Sequence, residues 1–382
     1  MDNNNIIYMD HAATTPVDTD VLAAMMPFFT EYYGNPSAIH SVGSFAKTAV
    51  ENARETVANV INAQTQEIIF TSGGTESDNA ALLGAALSRP KRKHILTTPI
   101  EHHAVLNPLH YLEEFGWEVE MLPVSHDGLV NSEDVKNRLR DNTLLVSVMH
   151  GNNEVGTLQP IGEIGAACRD AGILFHTDAV QTFGKVPIDV RAMKIDLLSI
   201  SAHKLYGPKG IGALYVRRGV PLTPHMLGGG QESGRRSGTL NVPGIVGLGK
   251  AAELAQQLMP GESKRLNELA NCLVEEIESR LQGVHLSGSQ MSRVPGNVHL
   301  CIEGLEGEPI LLALDAAGIC ASAGSACSAG STEPSHVLKS MGVSRDLARG
   351  AIRITMGRKT TIEDVMKTAN VLIQAVTDLR KL

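Results

Sequence analysis

Lys204 stands where an apolar run, Leu197-Leu198-Ser199-Ile200, gives way to the turn Gly207-Pro208-Lys209-Gly210. An amine becomes nucleophilic when desolvation or neighbouring positive charge destabilises its ammonium, and the end of a buried strand offers the first of these. Ser201 and His203 beside it supply donors suited to an anionic group. An isolated lysine before a turn is ordinarily a solvated surface residue. What alters that reading is a set of polar residues that all arrive at the C-terminal ends of expected strands, where open α/β sheets bind their ligands.

Asp178 closes Leu174-Phe175-His176-Thr177, and Gln181 follows one turn later. Gly73-Gly74-Thr75 closes Ile68-Ile69-Phe70-Thr71 and opens the next helix, whose backbone amides and dipole suit a phosphate. Taken singly, the aspartate reads equally as a helix cap and the Gly-Gly-Thr as a plain turn. Taken with Lys204, an aspartate able to hold a protonated pyridine nitrogen points to pyridoxal 5'-phosphate (PLP).

These residues must be carried by a substantial scaffold. The chain has 382 residues with 43% hydrophobic and 19% charged content, ordinary for a globular protein of about two or three domains. A formal net charge of -8, with Arg89-Pro90-Lys91-Arg92-Lys93 as the one dense basic cluster, argues against direct nucleic-acid binding. No apolar stretch approaches the ~20 residues of a membrane span. The opening Met1-Asp2-Asn3-Asn4-Asn5 lacks the character of a signal or transit peptide. The 5 cysteines are scattered without metal-type spacing, so no metal is expected and a reducing cytoplasm is the expected location.

Short apolar runs at 68–71, 94–97, 118–122, 144–148, 173–177, 197–200 and 212–216, separated by helix-length segments, predict a mainly parallel seven-stranded sheet covered on both faces by helices. Before it, a short helix is expected over 21–29 and a long one over 44–61, with Phe45, Ala49, Val57, Val60 and Ile61 on one side. After it, helices over 243–259 and 261–281 lead to a smaller α+β domain with strands at 298–302 and 351–355 and helices at 308–317 and 362–379. The expected division is a large domain over 15–255 and a small one over 256–382, joined by segment 1–14. The stretch 322–334, rich in Gly, Ser and Ala without apolar periodicity, is expected to be mobile.

Ser-Ala-His-Lys-Leu-Tyr-Gly-Pro-Lys-Gly, with Asp178-Ala179-Val180-Gln181 before it and Gly324-Ser325-Ala326-Cys327-Ser328 after it, resembles the cysteine desulfurases of the class V aminotransferase group. The resemblance runs from Tyr8-Met9-Asp10-His11-Ala12-Ala13-Thr14-Thr15-Pro16 to the last helix. It implies a PLP fold type I enzyme that converts L-cysteine to L-alanine and leaves a persulfide on Cys327, in the subclass with a mobile catalytic loop. It also implies a homodimer and a sulfur-acceptor protein, either an iron-sulfur scaffold or a tRNA-thiolation enzyme. Selenocysteine lyase would use the same residues, and a class V aminotransferase would need no loop thiol.

Residue by residue, the resemblance gives Lys204 the cofactor linkage, Asp178 the ring nitrogen and Gln181 the ring hydroxyl. In Glu101-His102-His103 it makes His102 the histidine stacked on the ring and moving protons, a role that suits a side chain titrating near neutral pH. Thr75, Ser201 and His203, with the turn at Gly74, would bind the phosphate, and Thr239 would reach the phosphate of the neighbouring subunit. Asn153 and Arg353 would meet the substrate carboxylate, for which a guanidinium's planar fork is suited. Without the resemblance Arg353 reads as an edge-strand charge. Cys168, Cys272, Cys301 and Cys320 lie in apolar patterns and read as small hydrophobes, whereas Cys327 sits among small residues on a loop. Ser233 stands where relatives generally carry arginine. The chain ends at Leu382, short of the docking tail found in housekeeping members, which leaves the acceptor open.

Overall fold

Seven short apolar runs of the sequence become one sheet. In the computed structural model, which describes residues 6–323 and 334–381, a short strand β1 (Ile7–Tyr8) precedes α1 (Thr19–Met25), α2 (Pro27–Thr30) and α3 (Ser41–Val60). Strands β2 (Ile68–Thr71), β3 (His94–Thr97), β4 (Glu118–Met121), β5 (Thr143–Ser147), β6 (Leu174–Asp178), β7 (Leu197–Ser201) and β8 (Gly212–Val216) then follow. Among them lie α4 (Gly74–Ser88), α5 (His103–Glu114), α6 (Ser132–Arg138) and α7 (Ile161–Asp170).

The strand order is β2-β8-β7-β6-β5-β3-β4. All pairs are parallel except those of β8, which runs antiparallel to both β2 and β7. Six of these strands, β2, β3 and β5 to β8, are buried at every residue. That double-sided cover is why they read as continuous apolar runs without alternation. Thr71 and Ser201 both pair with Gly212, so the C-terminal ends of β2 and β7 meet at one edge of the sheet.

Beyond the sheet, β9 (Gly230–Gln231) and β10 (Arg236–Ser237) form a small hairpin before α8 (Val242–Arg280). The chain continues through β11 (Val284–Leu286), β12 (Asn297–Ile302), α9 (Gly307–Ala316), β13 (Ile319–Cys320), α10 (His336–Ser340), α11 (Arg345–Arg349), β14 (Ala351–Thr355) and α12 (Ile362–Leu379). Strands β11-β12-β14 make an antiparallel sheet. Leu266, Leu269, Leu273 and Ile277 of α8 pack there in one cluster with Val365, Leu372 and Val376 of α12. β1 pairs in parallel with β13, and Met9 is buried in the same cluster, so the N-terminal segment belongs to this second core.

Three expectations need correction. The helices expected over 243–259 and 261–281 are one helix, α8, with Pro260 inside it, and the expected boundary at 255/256 falls within it. Proline removes only one hydrogen bond, the one to residue 256, and both Gln256 and Pro260 are exposed, so water can serve the released carbonyl. The helix expected over 21–29 is two, because Pro27 has no N–H to continue α1 and starts α2 instead. On α3 the buried face is Ala46, Val50, Ala53 and Val57, whereas Phe45 is exposed. Small residues are selected there because α8 approaches closely: a Cβ on Gly249 would lie 2.7 Å from Ala53 Cβ.

Gly249→Ala is therefore expected to destabilise the chain by about 1–3 kcal/mol through overpacking. Gly261→Ala on the same helix, with nothing within 4 Å of its added carbon, should stabilise it by roughly 0.5–1 kcal/mol. Urea denaturation of both variants checks the pair.

Candidate active site

The C-terminal ends of β2, β6 and β7 open into a cleft of about 1030 Å³, which Ala12 and Ala13 of the N-terminal segment and Arg353 of β14 also line. Gly74, Thr75, His102, Asn153, Asp178, Gln181, Ser201, His203, Lys204 and Arg353 all face it. Thr239 does not line it: it lies exposed in the loop after β10. Cys327 lies outside the described residues.

Lys204 ends a single 3-10 turn directly after β7. Its Nζ donates to the main-chain oxygens of Ala12 at 2.5 Å and Ala13 at 2.7 Å. Desolvation, followed by the charges of Lys185 and Arg353, lowers its pKa to about 7, against the opposing pull of Asp10 and Asp178. A lysine so placed is substantially an uncharged amine at neutral pH.

Asp178 is held by the Val180 N–H, which donates to its Oδ1 at 2.8 Å, while burial raises its pKa and Lys204 lowers it. Gln181 Nε2 donates to the Ala12 oxygen at 2.9 Å. His102 caps α5 by accepting the Ala104 N–H on Nδ1 at 3.0 Å. Burial, then Lys204, lowers its pKa to about 4. Capping and burial keep His102 neutral, and with Nδ1 an acceptor the proton sits on Nε2. His203, with Nδ1 3.1 Å from Thr14 Oγ1, is likewise lowered to about 4, first by burial.

Arg353 is 1% exposed, so it is no solvated edge charge. The open side of β14 is covered by bridges from Ser322 to Arg353 and from Asp10 to Thr355. Its guanidinium donates to the Asn153 oxygen and to Asp10 Oδ1, each at 2.9 Å, and Asp10 Oδ2 accepts from Ser322 Oγ at 2.9 Å. These contacts fix the plane in which a carboxylate would be gripped.

Several cleft groups carry no signal in the sequence reading. The Ala12 and Ala13 carbonyls have no side chain to announce them. Asp78 lies one helical turn after Gly74, a spacing that does place it on the cleft side of α4; burial and then Asp178 push its pKa well up. Glu154 accepts from Ser335 Oγ at 2.5 Å, and the His336 ring lies 4.9 Å from that of His103. Of the cysteines read as small hydrophobes, Cys168 and Cys301 are buried, whereas Cys272 and Cys320 are only half-buried.

The family model for aminotransferase class-V matches residues 7–367. The chain belongs to that family. A cysteine desulfurase IscS of Dictyoglomus turgidum is 50% identical over 375 residues, which is 98% of this chain and 95% of that one. The solved structure of a NifS-like protein superposes with a TM-score of 0.92 at 39% identity, covering 98% of this chain and all of the other. Another, SspA in complex with cysteine, has a TM-score of 0.80 at 40% identity over 92% of this chain and 98% of that one.

Members of the class V family are PLP enzymes, and the residues of this cleft fit that cofactor. The N-terminal amides of the 15-residue helix α4 face Ser201 and His203, a donor set for a phosphate dianion. Gly74 leaves that corner clear: a Cβ there would lie 2.7 Å from Val180 Cγ2 and 3.6 Å from Ser201 Cβ. Val180 is β-branched and cannot easily swing aside. Gly74→Ala should therefore weaken PLP binding by roughly tenfold or more, with the far-ultraviolet circular dichroism unchanged. Fluorescence titration of the cofactor-free chain with PLP measures the loss.

Proposed function

We propose that the family's sulfur chemistry is performed here by Lys204, Asp178, His102, Arg353 and Cys327, each in its own role. The chain is a PLP-dependent cysteine desulfurase, converting L-cysteine to L-alanine. The observation that carries the assignment of roles is the Lys204 amine, desolvated at a strand end and paired only with main-chain oxygens, in the same cleft as Asp178.

When bound, PLP withdraws electrons from the α-carbon of an attached amino acid. Lys204 is the amine that would hold the cofactor and, once released, would take the α-proton and later return it to the α-carbon of alanine. Asp178 holds the proton of the ring nitrogen. His102 donates from Nε2, and Arg353 with Asn153 orients the substrate carboxylate. The thiolate of Cys327 attacks the substrate sulfur, so that an S–S bond forms as the substrate's C–S bond breaks. The electron pair of that bond stays on carbon, which takes up a proton to become the methyl group of alanine. Sulfur remains on Cys327 as the persulfide. Selenocysteine would enter by the same steps, and comparing alanine release from the two amino acids separates the readings.

A homodimer is supported by the apolar surface on the N-terminal helices, where Phe28, Tyr32 and Phe45 are in ring contact and Tyr33, Ile39 and Phe45 are exposed. In that assembly Thr239 of each chain serves the other's phosphate. The persulfide passes to an acceptor protein, an iron-sulfur scaffold or a tRNA-thiolation enzyme. A cytoplasmic location is supported by the four described cysteines, all free thiols; no described helix is long and apolar enough to cross a membrane.

Treating the PLP-loaded chain with borohydride should fix the cofactor on the Lys204 peptide, and Lys204→Ala should lose both that adduct and turnover. An adduct on another peptide would overturn the lysine assignment. Cys327→Ala should still bind PLP and change its absorption on adding L-cysteine, yet release alanine at least about a hundredfold more slowly. After a single turnover of the unaltered chain, mass spectrometry should find one added sulfur on Cys327. Sulfur on Cys320 instead, or normal turnover by Cys327→Ser as an aminotransferase would show, would exclude Cys327 as the acceptor.

A further inference from the structure

A second, narrow cavity shares Ala12, Gln181 and Lys204 with the cofactor cleft. These three residues form a common wall, knitted by the two donors that converge on the Ala12 oxygen, Gln181 Nε2 at 2.9 Å and Lys204 Nζ at 2.5 Å. The second cavity is lined by residues with no part in the proposed chemistry, among them His11, Lys185, Tyr206, Glu262 and Arg358. Most of its charges are already matched. Arg358 pairs with Glu262 at 2.9 Å and with Asp18 at 2.7 Å, and His11 Nδ1 lies 3.0 Å from the Thr355 oxygen. Lys185 is the exception: its ammonium makes no hydrogen bond or ion pair with another described residue.

We propose that Lys185 is a positioning residue that acts on Lys204 from this second cavity, its positive charge repelling a proton from the Lys204 amine and so keeping that amine nucleophilic. The inference rests on Lys204 as the amine that takes up the cofactor. Two amines facing one cavity cannot both hold a proton cheaply. Lys185 is lowered, by burial first, only to about 8, with Glu262 favouring its charged form. It therefore remains mostly charged at pH 7. Lys204 is lowered further, to about 7, and after burial its largest cause is Lys185.

Other groups bear on Lys204 from the elements around it. Arg353 of β14 adds to the repulsion, while Asp10 of the N-terminal segment and Asp178 of β6 oppose it. His102 and His203 are both held neutral. Arg353 is tied to Asp10 at 2.9 Å, so much of its field is cancelled locally. Lys185 makes no ion pair among the described residues, and Glu262, the acid that favours its charge, is itself paired with Arg358.

Removing the charge at 185 makes the Lys204 ammonium easier to form, so its pKa rises and the uncharged amine becomes scarcer at neutral pH. The readout is the rate at which PLP attaches to Lys204 when added to the cofactor-free full chain, followed by absorbance from acid to alkaline pH, with the site of attachment checked by borohydride fixation. The unaltered chain should show an inflection near pH 7. Lys185→Met should move it up by about one pH unit and slow attachment at pH 7 by up to roughly tenfold. Lys185→Arg, which keeps the charge, should leave it in place. Should Lys185→Met fail to fold, Lys185→Gln carries the same expectation. An inflection that stays put in the uncharged variant, or moves equally in the arginine variant, overturns the proposal. Absence of attachment at Lys204 in the unaltered chain would instead overturn the lysine assignment beneath it.

Discussion

An amine at the end of a buried strand has to be dry enough to lose its proton, yet it cannot be left without partners. Full desolvation of an unpaired ammonium would cost several kcal/mol. Two carbonyl oxygens, those of Ala12 and Ala13, meet the need without adding a countercharge that would hold the proton in place. That choice binds the N-terminal segment to the site. The segment is held in turn by the Thr355 oxygen and by the β1–β13 pair, so the second core of the molecule supports the lysine of the first.

Beneath the cleft the same dryness distributes protons among three carboxyls. Burial raises Asp78, Glu101 and Asp178 alike. Only Asp178 has both a backbone N–H on its oxygen and Lys204 close enough to favour its charge. Asp78, 1% exposed and raised further by Asp178, is the acid that stays neutral, and Glu101 is lifted to about 8 although it accepts from Met149 and Thr98. Asp178, the carboxylate proposed to hold the ring nitrogen, is thus the one whose surroundings penalise its charge least.

What the sequence makes legible follows from where the side chains do the work. Six of the seven sheet strands, all but the exposed β4, are readable because burial on both faces favours apolar runs, and Asp178, Ser201 and Lys204 because each interrupts such a run at its end. Arg353 reads as a surface charge because the bridges from Ser322 and Asp10 that cover β14 come from distant segments. Pro260 reads as a helix end because proline's cost is local, whereas the packing of α8 on both cores is spread over 39 residues. The role of the Ala12 and Ala13 carbonyls leaves no trace at all, since a main-chain oxygen is the same in every residue.

The long reach of the N-terminal segment also sets an order of assembly during synthesis. His11 meets Thr355 across 344 residues, and Ile7 pairs with Ile319. Residues 7–11 therefore lack these partners until almost the whole chain has followed them, while the strands from β2 to β8 can already associate. Loop closure over so great a separation is slow compared with contacts within the sheet. The large sheet can thus form before the segment that carries the two carbonyls of Lys204 is anchored.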